Sequence, residues 1–559
     1  MKSGLSGVGL VSTIFAMTDA HIPKEYFPAP TGPLKRSVGL LVVLLVVAVG
    51  LRVWMMNHSA TISKDGVGYV AMARAMEVDA ADAIRTHSRH PGYPSAVLLS
   101  HTVLRSVGVI DDSIEGWDVA GRWVSILASV AVLVGLWMLA NQGFDRRVAW
   151  ITVLMSALAR KWSAAGCDVL ADPLSVAFQI WTGVAAVAAV SCYRERPKRA
   201  ALLVVLVGIG AAGAYYVRPE AGQIIIAAGV CWLLCAGLRD RRWGWALVSG
   251  AAALVVMLLI ASPYMMTIGG LTCRKLHLGA PQASVTGGLL ATRAPGAIYW
   301  AGVTTFFGQL TEAMHPILAG LGLGWLIGFV ASRWGQHPVL VGLVGPAPRR
   351  APTALVTTSV VILAGLTIPQ YIASGMLSHR YLLFCAVGLS PLAGAGVVMV
   401  ARLICHIAER LRWKVIPPLA IVLVLIPVTV GLVYHSFQPL HETRAFLRRA
   451  GEYLAENSQP DDILLTDLGL VTHYADIPSV DIPGHMQLTP RRIFLELSKR
   501  EERPTLLAIV NVPLRRGHYN SPDLHAGLDA DPRFERLETF TREDKKEEVA
   551  IYRIVAEQR

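Results

Sequence analysis

Long apolar runs are the feature that most constrains what this chain can fold into. About eleven stretches approach the ~20 consecutive apolar residues that a helix needs to cross a bilayer. Their approximate bounds are 37–56, 119–140, 147–163, 172–191, 200–216, 220–237, 243–264, 312–332, 353–373, 380–401 and 415–436. The third run is the weakest, because Arg160 and Lys161 interrupt its end. The chain is therefore predicted to be an α-helical, multi-pass membrane protein.

Composition agrees with this class. Of the 559 residues, 53% are hydrophobic and only 16% are charged, whereas soluble domains carry about 25% charged residues. The net charge is +12, and in a membrane protein an excess of Lys and Arg marks cytoplasmic loops rather than a nucleic-acid partner. The seven cysteines show no CxxC spacing. They are interpreted as small core residues, not as a disulfide framework or a metal site.

Loop charges predict the topology. Alternate loops contain Arg146 and Arg147, "YRERPKR", "RDRRW", "SRWGQHPVLVGLVGPAPRR" and "RLICHIAERLRWK". All are basic, so they are assigned to the cytoplasm, and an odd number of spans then places the C-terminus outside. Residues 1–36 are predicted to be a cytoplasmic or interfacial segment. The alternative is a signal peptide in "GLSGVGLVSTIFAM", but that would put the basic residues before the first span on the wrong side.

The predicted outer face collects most of the polar residues that could do chemistry. It comprises the external loop 57–118 and the shorter connections between later spans. Its candidate residues are Asp65, Arg89, His90, Asp168, Asp172, Arg218, Glu220, Arg274, His379 and Arg380. Their placement near one end of the helices was not used to define the spans, so it is independent support for a site there.

After about residue 440 the composition changes. "DDILLTD", "PTLLAIVNVP" and "EEVAIYRIV" are typical of strands. "HETRAFLRRAGEYLAENS" predicts an amphipathic helix, and "SQPDD" a turn. Residues 440–559 are therefore predicted to form an extracytoplasmic α/β domain. Residues 37–439 form the transmembrane domain.

The stretch "SKDGVGYVAMARAM" follows the first span and contains an acid, Asp65. On a helix, Asp65 and Tyr69 lie one turn apart on the same face. Asp65 could cap an interfacial helix or act as a catalytic carboxylate, and Tyr69 could position it or anchor the helix at the interface. Further on, "RTHSRHPGYP" could simply turn the chain back, yet Arg89 and His90 supply donors suited to an anionic ligand.

Two later loops also carry basic residues on the predicted outer face. In "YYVRPEAG", Arg218 and Glu220 could form a local ion pair, Arg218 could reach lipid phosphate, or Arg218 could hold a ligand phosphate. In "SHRYLL", His379 and Arg380 stand at the mouth of a helix. Several such groups on one face, alongside carboxylates, favour a site for an anionic lipid-linked substrate.

An acidic pair occurs in "CDVLADPLSVAF", where Asp168 and Asp172 are four residues apart. Asp172 precedes a proline, so it could cap the next helix. Asp168 could be a solvated loop residue. The pair could also bind a divalent cation, although no ligand spacing demands one.

These motifs, taken in order, resemble the C-type integral-membrane glycosyltransferases, nearest to the protein O-mannosyltransferase and aminoarabinose-transferase group. The resemblance covers roughly residues 37–440 and rests on "DGVGY", "RHPGYP", "LADPLSVAF", "RPE" and "HRYLL". It departs from relatives in having a single acid at the first motif and no His-Pro-Pro turn.

The resemblance implies a polyprenyl-phosphate sugar donor and an inverting transfer to a hydroxyl of a lipid, glycan or protein. By it, Asp65 would be the general base, with Arg or His groups on the departing phosphate. The residues expected to bind substrate are Tyr69, Arg89, His90, Asp172, Arg218, Glu220, His379 and Arg380. Membrane lipids would be the other partners, and the site would face the periplasm of a bacterial plasma membrane. A secondary transporter is less favoured, because transporters usually place charges near the bilayer midplane. A non-catalytic assembly or sensor protein is the third alternative.

Overall fold

The computed structural model describes residues 34–271, 295–334, 343–344, 349–374, 377–413, 415–482, 491, 493, 504–511, 524–542 and 547–555. Helices dominate it up to residue 436. They are α1 (Leu34–Asn57), α2 (Lys64–Thr86), α3 (Gly92–Ser106), α4 (Ile114–Gly143), α5 (Arg146–Leu158), α6 (Arg160–Ala165), α7 (Ala171–Cys192), α8 (Pro197–Val217), α9 (Ile224–Trp232), α10 (Trp243–Ile268), α11 (Pro295–Met314), α12 (Pro316–Trp334), α13 (Arg350–Ser374), α14 (Leu383–Arg410) and α15 (Pro417–Ser436). The 1–33 segment and Arg274 lie outside the described residues.

Ten helical segments of the described chain are long and apolar enough to cross a membrane, and each corresponds to a predicted span. Large apolar side chains on their outward faces are exposed, among them Val46, Leu259 and Val430. Such faces require lipid rather than water around them. The chain is therefore an integral, multi-pass membrane protein, as predicted.

The predicted third span, 147–163, differs in the structure. It consists of two short helices, α5 and α6, separated at Ala159, whose φ of −67° and ψ of 113° are extended. Extended backbone at this position breaks the hydrogen-bond ladder, so neither helix reaches the length of a span on its own. Together they still run from the end of α4 to the level of α2, since Asp168 just beyond α6 contacts Ser63.

One end of the helical bundle is where the loop 57–118 lies, and we call it the site end. The loop 57–118 forms two helices there, α2 and α3. Ser63 begins α2 by accepting a hydrogen bond from the backbone N–H of Gly66, while Asp79 interrupts the helix with extended φ and ψ. Pro91 precedes α3. Proline has no backbone N–H, but this costs nothing at a helix start, where the N–H would have no partner within the helix. Both helices lie outside the ten candidate spans.

The C-terminal part is α/β, which confirms the predicted fold class. Its elements are α16 (Ala445–Asn457), β1 (Leu464–Thr466), α17 (Gly469–Ala475), β2 (Ser479–Asp481), β3 (Leu506–Asn511), α18 (Leu524–Asp529), β4 (Phe534–Thr541) and β5 (Glu548–Ile554). The described strands form one sheet in the order β2-β1-β3-β5-β4. β1 pairs in parallel with β2 and β3, whereas β5 pairs antiparallel with β3 and β4.

Alternation along β3 explains how this sheet is covered on both faces. Leu506 and Ala508 pack with α16 and α17 on one face. Leu507 and Ile509 pack with α18 on the other. Because successive side chains of a strand point to opposite faces, a run of buried apolar residues marks a strand buried on both sides. α17 also packs onto α2, so the C-terminal part lies against the site end.

Candidate active site

Asp65 lies in the first turn of α2, at the helix terminus whose partial positive charge favours an acid. The cap itself is Ser63, so capping does not account for Asp65. Gly68 is part of the reason that Arg89 can approach: a Cβ there would lie 3.1 Å from the Arg89 Nε. The small residues of "DGVGY" therefore leave room for a guanidinium beside the carboxylate.

Five charged residues from four separate parts of the chain form one ion-pair network. Arg89 donates from Nη2 to Asp65 Oδ1 at 2.8 Å, and Arg380 donates from Nη1 to Asp65 Oδ2 at 2.6 Å. Arg380 also donates from Nη2 to Asp172 Oδ2 at 2.8 Å, and Arg218 donates from Nη2 to Asp172 Oδ1 at 2.9 Å. Arg380 thus bridges the two carboxylates.

Asp172 is buried, with 3% of its side chain exposed, whereas Asp65 is 36% exposed. The structure does not show Asp172 as a helix cap: α7 begins at Ala171 without a side-chain cap. Its carboxylate instead receives two guanidinium groups, which a buried anion needs to offset its lost hydration. Asp65 is the accessible carboxylate of the network, and Asp172 is the one that fixes the arginines.

The arginines determine the protonation of Asp65. Burial alone would raise its pKa, but the charges of Arg380 and Arg89 outweigh burial and lower the pKa from 3.8 to about 2. For Arg218, burial would lower the pKa, and Asp172 and Glu220 together raise it above its ordinary value. Asp65 is therefore a carboxylate at neutral pH, and the guanidinium groups stay charged.

The part of the network around Asp172 leaves little free space. Asp172, Arg218, Arg380, Glu220 and neighbouring side chains line a cavity of about 20 Å³, which is room for about one water molecule. Arg218 and Arg380 share this cavity, and Asp65 adjoins it through Arg380 without lining it. This cavity is smaller than a phosphate, so a phosphate bound there would take over guanidinium hydrogen bonds that the carboxylates now accept.

The other predicted site residues surround this network at different distances. Glu220 accepts from Arg218 at 3.3 Å, so the local ion pair exists alongside the Asp172 contact. Tyr69 is buried, its ring lies 5.1 Å below the Arg89 guanidinium, and burial raises its pKa. It is therefore not a lipid-facing anchor. His90 lies with Nδ1 2.6 Å from the hydroxyl of Tyr264.

His379 is the predicted residue that the structure directs elsewhere. Its Nδ1 lies 3.5 Å from Glu312 Oε1, and the same oxygen accepts from Lys161 Nζ at 2.8 Å. The hydrogen bond from Lys161 lowers the pKa of Glu312 despite its partial burial. His379 and Arg380 are adjacent in sequence, yet they pair with different carboxylates: His379 with Glu312, and Arg380 with Asp65 and Asp172.

Asp168 is not the solvated loop residue that the sequence allowed. Only 4% of it is exposed. Its Oδ2 accepts from His441 Nε2, and its Oδ1 accepts from the backbone of Ser63, both at 2.9 Å. Asp168 and Asp172 therefore have different partners, which does not favour a shared cation. Among the described residues, no group of three His, Cys, Asp or Glu side chains is placed to hold a metal ion.

Sequence reasoning missed a third buried acid at the site end, beside Asp168 and Asp172. Asp118, in the first turns of α4, is 5% exposed. It lies 2.8 Å from His473 Nε2 and accepts from the Tyr474 hydroxyl at 3.1 Å. A carboxylate at the edge of an apolar run was the available indication, because such a group needs a partner. The partners come from α17, over 350 residues later, and no local motif announces them.

Comparison with known proteins identifies the class to which this fold belongs. A family model described as dolichyl-phosphate-mannose-protein mannosyltransferase matches residues 114–267, from α4 to α10. Comparison with curated protein sequences gives no match. The fold is that of the C-type membrane glycosyltransferases, which confirms the resemblance predicted from the sequence motifs.

Two solved structures show the likeness over most of the chain. The crystal structure of ArnT from Cupriavidus metallidurans bound to undecaprenyl phosphate matches with a TM-score of 0.56 and 14% identity, covering 93% of this chain and 99% of that one. Archaeal AglB from Archaeoglobus fulgidus, an oligosaccharyltransferase in complex with an inhibitory peptide and a dolichol-phosphate, matches with a TM-score of 0.53 and 11% identity. That match covers 85% of this chain and 69% of the other. At such identities the likeness establishes the fold.

Proposed function

We propose that this protein transfers a sugar from a polyprenyl-phosphate donor to an acceptor hydroxyl, with inversion, at the outer face of a bacterial plasma membrane. The observation that carries the proposal is the ion-pair network. Three guanidinium groups meet two carboxylates at the ends of apolar helices, where a membrane-embedded lipid can present its phosphate. The fold likeness to one protein bound to undecaprenyl phosphate and another bound to dolichol-phosphate supports a lipid phosphate as the ligand.

Arg380 and Arg218 are the groups proposed to receive the donor phosphate. A guanidinium can bind two phosphate oxygens at once, and both of these guanidinium groups already donate to carboxylate oxygens of Asp172. The 20 Å³ cavity is too small for a phosphate. Donor binding therefore exchanges carboxylate contacts for phosphate contacts, and the Arg380 bridge between Asp65 and Asp172 is the one to open.

Opening that bridge activates Asp65. Its pKa is low because Arg380 and Arg89 stabilise the charged form. When Arg380 turns to the phosphate, one of these cations is withdrawn and the pKa of Asp65 rises toward its ordinary value. A carboxylate with a higher pKa is a stronger base. The donor thus prepares the base for the acceptor.

In the transfer step the acceptor oxygen attacks the anomeric carbon, and its proton passes to a carboxylate oxygen of Asp65. The bond between the anomeric carbon and the phosphate oxygen breaks, and its electron pair leaves on polyprenyl phosphate. Asp65 gains a proton as the phosphate gains a negative charge, so the charge of the site stays constant. A positioned base contributes about 10²–10⁴-fold, and arginine contacts stabilise the phosphate charge.

A transfer assay tests the function directly. The purified protein is placed in lipid vesicles with radiolabelled polyprenyl-phosphate hexoses or pentoses and membrane lipid, glycan or protein fractions as acceptors. We expect a labelled product with one donor, identified by mass spectrometry and absent with denatured protein. Failure to bind undecaprenyl phosphate or to consume any donor of this class would exclude the proposal.

A further inference from the structure

The connection between α1 and α2 is held mainly by the C-terminal part of the chain. The backbone N–H of Ala60 donates to the carbonyl of Leu440 at 3.1 Å. Arg448 donates back to the carbonyl of Ala60 at 3.3 Å. The backbone N–H of Ile62 donates to the hydroxyl of Tyr474 at 3.2 Å. The backbone that leads into the candidate base is therefore fixed by residues that follow the last span.

Asp168 makes the connection closest to the base. It accepts from His441 on one oxygen and from the Ser63 backbone on the other, both at 2.9 Å. Ser63 is the cap of α2 and accepts from the Gly66 N–H at 3.0 Å. Asp65 lies two residues after the cap. A short chain of hydrogen bonds thus runs from His441 through Asp168 and Ser63 to the helix turn that presents Asp65.

The Asp168 carboxylate is buried, so it depends on its partners. Burial alone would raise its pKa, but the hydrogen bond and charge of His441, with smaller contributions from Arg122 and Ser63, lower it. A buried carboxylate that loses a hydrogen-bond donor is costly and tends to find a new arrangement. Any such rearrangement would move Ser63, because the same carboxylate accepts its N–H.

The backbone at His441 shows that the imidazole is held in place at a conformational cost. Its φ is 58° and its ψ is 16°, in the left-handed region that non-glycine residues seldom adopt. Strained residues of this kind persist where the surroundings impose them, often at functional sites. Glycine would adopt this conformation more easily, so stability alone does not explain a histidine here.

We infer that His441 is a positioning residue for the proposed base, acting through Asp168 and the cap of α2 to fix Asp65 against the acceptor. The inference rests on the proposed function. It assigns to the segment after the last span a direct part in turnover, not only in the docking of the α/β domain. Misplacement of a catalytic group by about 1 Å can cost about 10²-fold in rate.

His441→Gly and His441→Gln separate positioning from stability. Glycine removes the imidazole, which costs stability at buried Asp168, but relieves the backbone, which offsets part of that cost. We therefore expect only a small drop in unfolding temperature while kcat falls about 10–100-fold with the donor KM nearly unchanged. Glutamine places an amide nitrogen near the position of Nε2. It should restore most of the kcat lost in the glycine variant, because it can again donate to Asp168.

His525→Asn is the matched control. His525 is also buried, and its Nδ1 lies 2.8 Å from the carboxylate of Glu548. It belongs to α18, on the face of the sheet opposite to α16 and α17. We expect its kcat to equal that of the parent. If His441→Gly turned over like the parent, or if glutamine gave no recovery over glycine, the inference would be wrong. If the parent itself transferred no sugar while binding the lipid, the proposed function would fail first and the inference with it.

Discussion

At the scale of single residues, the account depends on how Asp65 is held. Two arginines keep its pKa at about 2. Asp65 is therefore ionised in the free protein down to a pH well below neutral. In the donor complex, Arg380 is proposed to contact phosphate instead, and the pKa should be higher there. Acid should therefore reduce the activity of the free protein and of the donor complex at different pH values.

This difference can be measured as a pH profile. The kcat/KM profile reports groups of the free protein, and the kcat profile reports the complex. We expect no loss of kcat/KM assignable to Asp65 between roughly pH 7 and pH 5, and an acid limb of kcat at higher pH than that of kcat/KM. The pKa of Asp65 is lower in the folded than in the unfolded protein. The contribution of this carboxylate to stability is therefore complete above the unfolded pKa and lost as pH falls toward about 2. An acid limb of kcat below that of kcat/KM would contradict the proposed exchange.

Arginine geometry gives a second prediction. Arg380→Lys keeps the charge but cannot bridge Asp65 and Asp172 or grip a phosphate at two points. We expect undecaprenyl phosphate to bind about 10-fold or more weakly, since a bidentate contact to a charged group is worth more than about 1.4 kcal/mol. Arg105→Lys, at an exposed ion pair on α3, should bind like the parent. Equal affinities in both variants would remove Arg380 from the phosphate site.

Sequence motifs indicated the members of the ion-pair network but not which arginine pairs with which carboxylate. Asp65, Arg89, Arg218 and Arg380 stand in short motifs that share one end of the helices, which a hydropathy pattern can show. Which carboxylate each arginine reaches depends on how α2, α7 and α14 pack, and that information is not local. The same holds for Asp168, whose hydrogen-bond partner His441 lies far along the chain.

At the scale of elements, close packing places α3 against α8. Gly92 begins α3, and a Cβ there would lie 2.7 Å from the backbone carbonyl carbon of Tyr216. Backbone cannot move aside as a side-chain tip can. The approach of these two helices brings the Arg89 loop next to Arg218 at the end of α8, so the contact serves the network.

Gly92→Ala tests this contact. Overpacking of this kind typically costs about 1–3 kcal/mol, so we expect lower thermal stability in detergent and slower transfer. Gly250→Ala is the control, because nothing lies within 4 Å of a Cβ at that position of α10. Alanine there should be neutral or stabilise by about 0.5–1 kcal/mol. A Gly92 variant as stable and active as this control would show that the contact is dispensable.

The lengths of the elements explain what the sequence could predict about the fold. Apolar runs of about twenty residues correspond to ten of the candidate spans. The run 147–163 failed as one helix because a change of backbone at Ala159 is invisible to hydropathy. In the α/β part the strands with unbroken apolar runs were predicted. β2 and β4 were not predicted, because β2 is only three residues long and β4 is partly or fully exposed at most positions and contains three charged residues.

At the scale of the whole molecule, the site end and the α/β part must lie on the same side of the membrane. α17 packs on α2, so they cannot be on opposite sides. The basic loops at Arg146 and Arg241 lie between helices whose other ends meet the site. The side of the membrane on which one of these regions lies therefore determines the topology of the whole chain.

Cysteine labelling checks this topology. A cysteine at Asp461, which is exposed, should react with an impermeant maleimide in intact cells with a permeable outer membrane. A cysteine at Arg241 should react only after the plasma membrane is opened. Native cysteines are replaced first to remove background. The reverse pattern would place the site in the cytoplasm and exclude the proposed periplasmic transfer.

The most direct measurement is the transfer rate of Asp65→Asn. Asparagine keeps the size of the side chain but cannot take a proton, and its loss of charge leaves the arginines free for phosphate. We predict a folded protein that binds undecaprenyl phosphate as well as the parent or better, with kcat lower by about 10²–10⁴-fold. If the asparagine variant transferred sugar near the parent rate, Asp65 would not be the base, and Asp172 would be the next carboxylate to test.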